Sequence, residues 1–286
     1  MKICTDSFQQ GDLPEDSHIS PRQSDVDAAV KRARDTYLEL DKQRQAQELL
    51  TAAGEAQFAR VPIWASALRP EISPSPLIVF GLIFSFQAAG GEYRMSLKTV
   101  AGMLGISEGT LSTNLKNLYD NGYIERRDHG QGKAPSYLVN VLFCVEQALQ
   151  NGWNGKGADE ITKALARGQR EKAEKLALKA PFARIPTWAF ALKGAGVSRN
   201  QQIVLGRVFS FQFTGGAAAG GGEFRMSMAN GGEALGMKRN NLNRELNKLC
   251  KLGFLEKRAN EAGRPFSYTV NIPLCIEKAR ENGWNG

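Results

Sequence analysis

An α+β fold, mainly α, is predicted for this chain: two tandem copies of one small helical domain, joined by a helical linker and preceded by a separate helix. Three observations predict it. The chain repeats itself, each copy spanning on the order of a hundred residues, right for a small domain. Within each copy, two short stretches with one apolar face flank a glycine turn, the spacing of paired helices. After each pair come an alternating segment, a polar loop and a second alternating segment, the pattern of a β-hairpin.

The repeat is read directly. FARVPIWASAL at Phe58–Leu68 returns as FARIPTWAFAL at Phe182–Leu192, 124 residues later. GLIFSFQ from Gly81 returns as GRVFSFQ from Gly206, at an offset of 125. GEYRMS from Gly91, GYIERR from Gly122, SYLVN from Ser136 and NGWNG from Asn151 all return at an offset of 131. Length changes fall only between Leu68 and Gly81 and in the run FTGGAAAGGG between Gln212 and Glu223, both rich in Gly or Pro, where loops tolerate insertion. The predicted domains are therefore 1–57, an acidic N-terminal segment; 58–155, the first copy; 156–181, a charged linker; and 182–286, the second copy.

Taking the elements in order, a helix is expected over 24–53, with Ser24 as cap, Asp25 and Asp27 in its first turn and Gly54 as its stop. Val26, Val30, Ala33, Tyr37 and Leu40 form a narrow apolar seam. Two readings of it stay open: packing on the first copy, or a dimer contact weakened by Arg44 and Gln47 in the seam. In the first copy, LIVFGLIFSF at Leu77–Phe86 is apolar on nearly every side and reads as a buried helix started by SPSP. EYRMS reads as a short strand. SLKTVAGMLG follows as a helix with Leu97, Val100, Ala101 and Leu104 on one face and Gly105 as its stop. Ser107 then caps a second helix whose Leu111, Leu115 and Leu118 point inward, ended at Gly122 through a left-handed conformation. YIERRDHGQGKAPSYLVNV reads as strand, loop, strand. A helix, a tight turn, a second helix and a hairpin make a winged helix-turn-helix domain. The second copy keeps the turn at Gly236-Met237, the inner Leu242, Leu246 and Leu249, the stop at Gly253 and the hairpin FLEKRANEAGRPFSYTVNI. The linker 159–179 is charged and interrupted by Gly168; fully helical, it would span roughly 30 Å.

Composition narrows the function. No stretch approaches the roughly 18 to 20 apolar residues needed to cross a bilayer. The opening MKICTDSFQQGDLPEDS lacks the apolar core of a secretory signal, so a cytoplasmic protein without membrane contact is expected. The four cysteines (Cys4, Cys144, Cys250, Cys275) form no C-x-x-C pair, and the histidines are only His18 and His129, so no metal site is expected. Cys144 and Cys275 sit among apolar neighbours and read as buried, reduced thiols. No phosphate-binding G-x-x-x-x-G-K-[ST] occurs, and GGAAAGGG lacks the Lys and hydroxyl that such a loop needs. No catalytic residue or cofactor is assigned, and a non-enzymatic role is expected. Lys and Arg number 37 against 29 Asp and Glu, a net charge of +8. Residues 1–57 hold 7 basic and 11 acidic side chains, so the rest of the chain carries +12. A basic body suits a polyanionic partner.

Double-stranded DNA is the expected partner. The second helix of such a motif lies in the major groove and reads base edges from its N-terminal residues. Setting the inner leucines aside leaves Ser107, Glu108, Thr110, Ser112, Thr113, Asn114 and Lys116 in the first copy. The second copy offers Lys238, Arg239, Asn240, Asn241, Asn243, Arg244 and Lys248. Asn suits adenine and Arg suits guanine. The hairpins add Arg126, Arg127, His129 and Lys133 in the first copy, and Lys257, Arg258 and Arg264 in the second, for phosphate or the minor groove. Two linked readers would bind two adjacent half-sites about one helical turn, or a multiple of it, apart, as a monomer with paired readers or as a dimer through helix 24–53. The alternative is an adaptor or inhibitor that uses the same scaffold on a replication or transcription protein, favoured by the nearly neutral helix of copy one.

The sequence F-A-R-[VI]-P-x-W, G-G-E-[YF]-R-M-S, L-x-x-x-A-x-x-L-G and the closing N-G-Y-I-E-R-R resembles the helix-turn-helix modules of plasmid and phage replication proteins, including phage O-type initiators. That resemblance covers both copies and implies a role at repeated origin sites, or as a transcriptional regulator of the same mobile elements. Copy two departs from the pattern at Lys238, where a capping Ser is expected, and in the 214–222 loop insertion, whose purpose the sequence leaves open.

Overall fold

The computed structural model describes residues 27–28, 30–41, 44, 58–68, 71–131, 133–214, 222–225, 227–259 and 266–285. The chain forms two units, Met1–Gln47 and Glu48–Gly286. In the first, residues 27–28, 30–41 and 44 are helical. The seam residues Val30, Tyr37 and Leu40 are exposed, and Arg44 pairs with Asp41 at 2.6 Å. The expected cap Ser24 and stop Gly54, with Val26 and Gln47, lie outside the described residues.

The second unit holds both copies, mainly helical with small antiparallel sheets. Copy one runs strand β1 (Phe58–Pro62), a 3-10 helix (Ile63–Leu68), α1 (Pro74–Ala88), α2 (Leu97–Leu104), α3 (Glu108–Asp120), the hairpin β2 (Ile124–Arg127) and β3 (Ser136–Val139), and α4 (Val141–Gln150). Between the copies lie α5 (Ala158–Ala166) and α6 (Arg170–Leu178). Copy two runs β4 (Phe182–Pro186), α7 (Thr187–Ala191) with a 3-10 turn (Leu192–Ala195), α8 (Arg199–Thr214), α9 (Met228–Ala234), α10 (Arg239–Lys251), β5 (Leu255–Arg258), β6 (Ser267–Val270) and α11 (Ile272–Glu281).

Local chemistry explains most boundaries. Pro74 opens α1, where its missing N–H costs nothing. Ser96, Ser107 and Ser227 accept backbone N–H bonds from Thr99, Thr110 and Asn230 at the starts of α2, α3 and α9. Gly122 and Gly253 end α3 and α10 with φ of +75° and +79°, a region that other residues enter only at a cost. The expected EYRMS strand is reduced to a single bridge between Tyr93 and Tyr137, matched by Phe224 and Tyr268 in copy two. Two helices that the hydrophobic pattern also carries, α4 and α11, close each copy. Their inner faces are Val141, Cys144, Val145 and Ala148, and Ile272, Cys275, Ile276 and Ala279, capped by Asn140 and Asn271.

The copies are not separate beads on a linker. The repeated FARVP and FARIP strands pair with each other, β1 antiparallel to β4, with Arg60 opposite Arg184 at the centre. One face of this ribbon, Ala59, Val61, Ala183 and Ile185, is buried against α1 and α8. Gly81 and Gly206 allow that approach: an added Cβ would lie 2.6 Å from Val61 Cγ2 in the one case and 2.6 Å from Ile185 Cγ1 in the other. Ser85 and Ser210, one turn on, accept the N–H groups of Arg60 and Arg184 at 2.7 and 2.6 Å. Gln87 and Gln212 bond both backbone groups of Val139 and Val270, tying α1 and α8 to the hairpins.

The linker is not an extended rod. Gly168, at φ +69°, separates α5 from α6, and these two helices pack on each other with Ile161, Ala164, Ala173 and Ala177 buried. The Trp64 indole donates to the Ala177 carbonyl at 3.1 Å, fastening α6 to copy one. Among the described residues no helix is long and apolar enough to cross a membrane.

Candidate nucleic-acid interface

The two exposed helices α3 and α10 stand on the same design. Leu111, Leu115 and Leu118 in α3, and Leu242, Leu246 and Leu249 in α10, are buried and fix one face of each helix to the core. The opposite faces meet solvent. Lys238, Arg239, Asn240, Asn241, Asn243, Arg244 and Lys248 are all exposed. Arg244 lies beside Glu245, Nε to Oε1 at 3.1 Å, yet keeps 59% of its side chain accessible. Lys238 occupies the cap position of α10 without a side-chain cap bond, so the first turn keeps N–H groups directed outward beside three successive cationic or amide side chains. No acidic residue stands in that first turn. A groove of about 330 Å³ runs along its base, lined by Asn200, Met237, Lys238, Asn241, Arg244 and Glu245.

In copy one, Ser107, Glu108, Thr110, Ser112, Thr113 and Lys116 are exposed. Asn114 is the correction to the expected set. It is buried and donates to Ser75 Oγ at 3.0 Å. Its position lies three residues after Leu111 and one before Leu115, on the inner face, and the equivalent Glu245 is buried too. Polarity suggested a reader; helical angle makes it a core contact. Lys116 is held by Asp120 at 2.6 Å and Thr113 bonds the Gly109 carbonyl, so this helix presents small hydroxyls and one acid, Glu108, at its head. Beside it, a groove of about 350 Å³ is lined by Leu97, Ser112, Leu115, Tyr119, Arg126 and Tyr137.

The hairpins are organised by an acidic residue that sequence reading passed over. Glu92 holds Arg94 and Arg127, both at 2.8 Å, and His129 lies 3.8 Å from it. Hydrogen bonds from Arg94 first, then Ser136 and Arg127, pull the Glu92 carboxyl down to about 2. Glu223 repeats this in copy two with Arg225 at 2.7 Å and Arg258 at 3.4 Å, and its carboxyl is likewise lowered, Arg225 acting most. The signal was present in the repeat itself, as G-E-[YF]-R in both copies. Arg126 pairs with Asp128 at 3.0 Å, Lys133 is exposed, and Lys257 Nζ stands 3.8 Å over the Phe266 ring. Arg264 lies outside the described residues. Arg127 and Arg258 remain more than half accessible, so each can still exchange its carboxylate for an outside anion.

The free thiols Cys144 and Cys275 are buried, and that burial pushes them well above the ordinary thiol range, which removes them as nucleophiles. Among the described residues no group of three or more His, Cys, Asp or Glu side chains is placed to hold a metal ion. No protein-family model matches this chain, and no curated protein matches it.

Proposed function

We propose that the chain is a sequence-specific, non-enzymatic binder of double-stranded DNA, each copy acting as a winged helix-turn-helix module that sets α3 or α10 into a major groove. The observation that carries this reading is the exposed set Lys238–Asn241, Asn243 and Arg244, basic and amide-rich at the start of a helix whose other face is pinned by three buried leucines. Such a surface has phosphate-attracting charge, outward N–H groups and side chains able to pair bidentately with bases. Copy two supplies most of the affinity; copy one, with hydroxyls and Glu108, reads a flanking half-site. The likeness to plasmid and phage modules supports action at origin repeats or at a promoter of the same elements.

The test is selection of bound fragments from a random DNA pool, with affinity then measured against salt. A double site and a steep loss of affinity with salt are expected. Arg239→Ala and Arg244→Ala each lose about 1–3 kcal/mol on the recovered site. Recovery of no preferred sequence overturns the reading. A footprint beside an AT-rich region separates an origin binder from a regulator that covers a promoter.

A second reading has its own observation. The groove beside α3 is flanked by the exposed Leu97 and Tyr119, suited to a side chain of a replication or transcription protein rather than to a base. DNA affinity unaltered by Ser112→Ala and Thr113→Ala together would favour that role for copy one.

A further inference from the structure

The contacts between the copies are reciprocal. At the ribbon, each residue of β1 faces a residue of β4 so that equivalent positions exchange places: Phe58 pairs with Pro186 and Pro62 with Phe182, while Arg60 faces its own equivalent Arg184. Away from the ribbon the exchange continues. Ser66 of copy one donates to the Ala234 carbonyl at the end of α9 in copy two. In return, the carbonyl of Phe190, the residue equivalent to Ser66, lies against Gly105 at the end of α2 in copy one, 3.6 Å from where a Cβ would stand. Helix α1 also packs on its equivalent α8. A pair of surfaces in which i meets j′ and j meets i′ is related by a two-fold rotation; a translation or a screw leaves such contacts one-sided. The chain is thus a dimer folded from one polypeptide, with its pseudo-two-fold axis passing between Arg60 and Arg184.

That axis carries a consequence for the DNA. A two-fold rotation preserves position along its axis, so the exposed starts of α3 and α10 stand at the same height on it, with opposite polarity across it. Duplex DNA has local dyads of the same kind, and paired readers align their own dyad with one of them. We infer that, on the reading proposed above, the two half-sites are arranged as an inverted pair about one centre, at a single permitted spacing, and not as a direct repeat. Because the exposed residues of α3 and α10 differ, the site does not look palindromic in sequence; its inversion is geometric. The ordinary picture of two modules on a linker would tolerate several spacings and either orientation. Here the β1–β4 ribbon and the buried contacts of Trp64 leave the linker no such freedom.

The test places a DNA-cleaving iron chelate on equivalent hairpin positions, Glu125→Cys in one chain and Glu256→Cys in another, in a background with Cys4→Ser and Cys250→Ser. Both glutamates are exposed and outside the proposed reading set. The expected result is two cleavage patterns that mirror each other about one centre, on opposite strands. Patterns that repeat along the same strand overturn the inverted arrangement while leaving DNA binding standing. Absence of any sequence-selective binding overturns both. A second measurement needs no labelled protein: in the selected site, reversing one half or adding two base pairs at the centre should each weaken binding at least about tenfold. Unchanged affinity for either altered site overturns the proposal.

Discussion

Arg60 stands opposite Arg184 at the middle of a two-stranded ribbon, two like charges brought together by the register of their own repeat. The aromatic rings beside them make this tolerable. Phe58 and Phe182 stack with centroids 6.4 Å apart, and the Arg184 guanidinium lies 3.8 Å from the Phe58 centroid, with Arg60 5.3 and 5.0 Å from the two rings. Burial, and then the neighbouring Arg60, lowers the Arg184 pKa below the ordinary guanidinium range. The join between the copies is therefore a packed and charged centre.

Gly206→Ala should destabilise the whole second unit. Its Cβ would meet Ile185 Cγ1 at 2.6 Å and the Arg184 carbonyl at 3.0 Å. Overpacking costs about 1–3 kcal/mol and the gain in helix propensity returns about 1, leaving a net loss of up to about 2 kcal/mol. Calorimetry should show one lowered transition for both copies. Two separated transitions would mean that the copies unfold independently.

The two equivalent tryptophans should respond differently to the same change. Trp64 Nε1 donates to Ala177, whereas Trp188 Nε1 is buried with no partner among the described residues. Trp64→Phe removes one donor from the Ala177 carbonyl, which keeps the Ala180 N–H at 3.2 Å, and should cost about 0.5–1.5 kcal/mol more than Trp188→Phe. Urea unfolding of the two variants measures the difference, and equal losses would remove α6 from the set of stabilising contacts.

Asn114→Ala and Thr113→Ala should separate stability from recognition. The first deletes the bond to Ser75 and should lose about 1 kcal/mol of stability, with the selected DNA sequence unchanged. The second removes an exposed hydroxyl and should alter base preference while leaving the melting temperature in place. The reverse pattern would return Asn114 to the reading face.

Acid should loosen the first hairpin through Glu92. Its folded pKa lies below the unfolded value of about 4.3, so the stability it contributes is fully present above that value and is lost as pH falls through about 2. Glu92→Gln should therefore lower the melting temperature at neutral pH and flatten its fall across this acid window. An identical pH profile for the two proteins would show that the Arg94 and Arg127 contacts do not stabilise the fold.

How much was legible in the residues follows from the range of each interaction. Ser107 capping α3, Gly122 turning left-handed, and the inner leucines of α3 and α10 depend on neighbours a few positions away, and they stand where the sequence predicts. Helices α4 and α11 carry an equally plain apolar spacing, but the sequence reading ends the hairpins at Val141 and Ile272 and assigns no element to the residues that follow. Asn114 is polar by type, but its helical angle turns it inward to Ser75. Glu92 and Glu223 were repeated in both copies, yet an isolated acid gives no hint of which arginines will fold over it.

Sequence alone determined that one fold occurs twice, in which order its helices and hairpin come, and which helix starts are crowded with basic and amide groups. Those properties are written in local periodicity and in self-similarity. Only the tertiary structure decided that β1 pairs with β4, that Arg60 meets Arg184, and that the copies are related by a rotation. A strand alternates in the same way whichever partner it takes, and the choice of partner is settled by what the rest of the chain can bury when that pair forms.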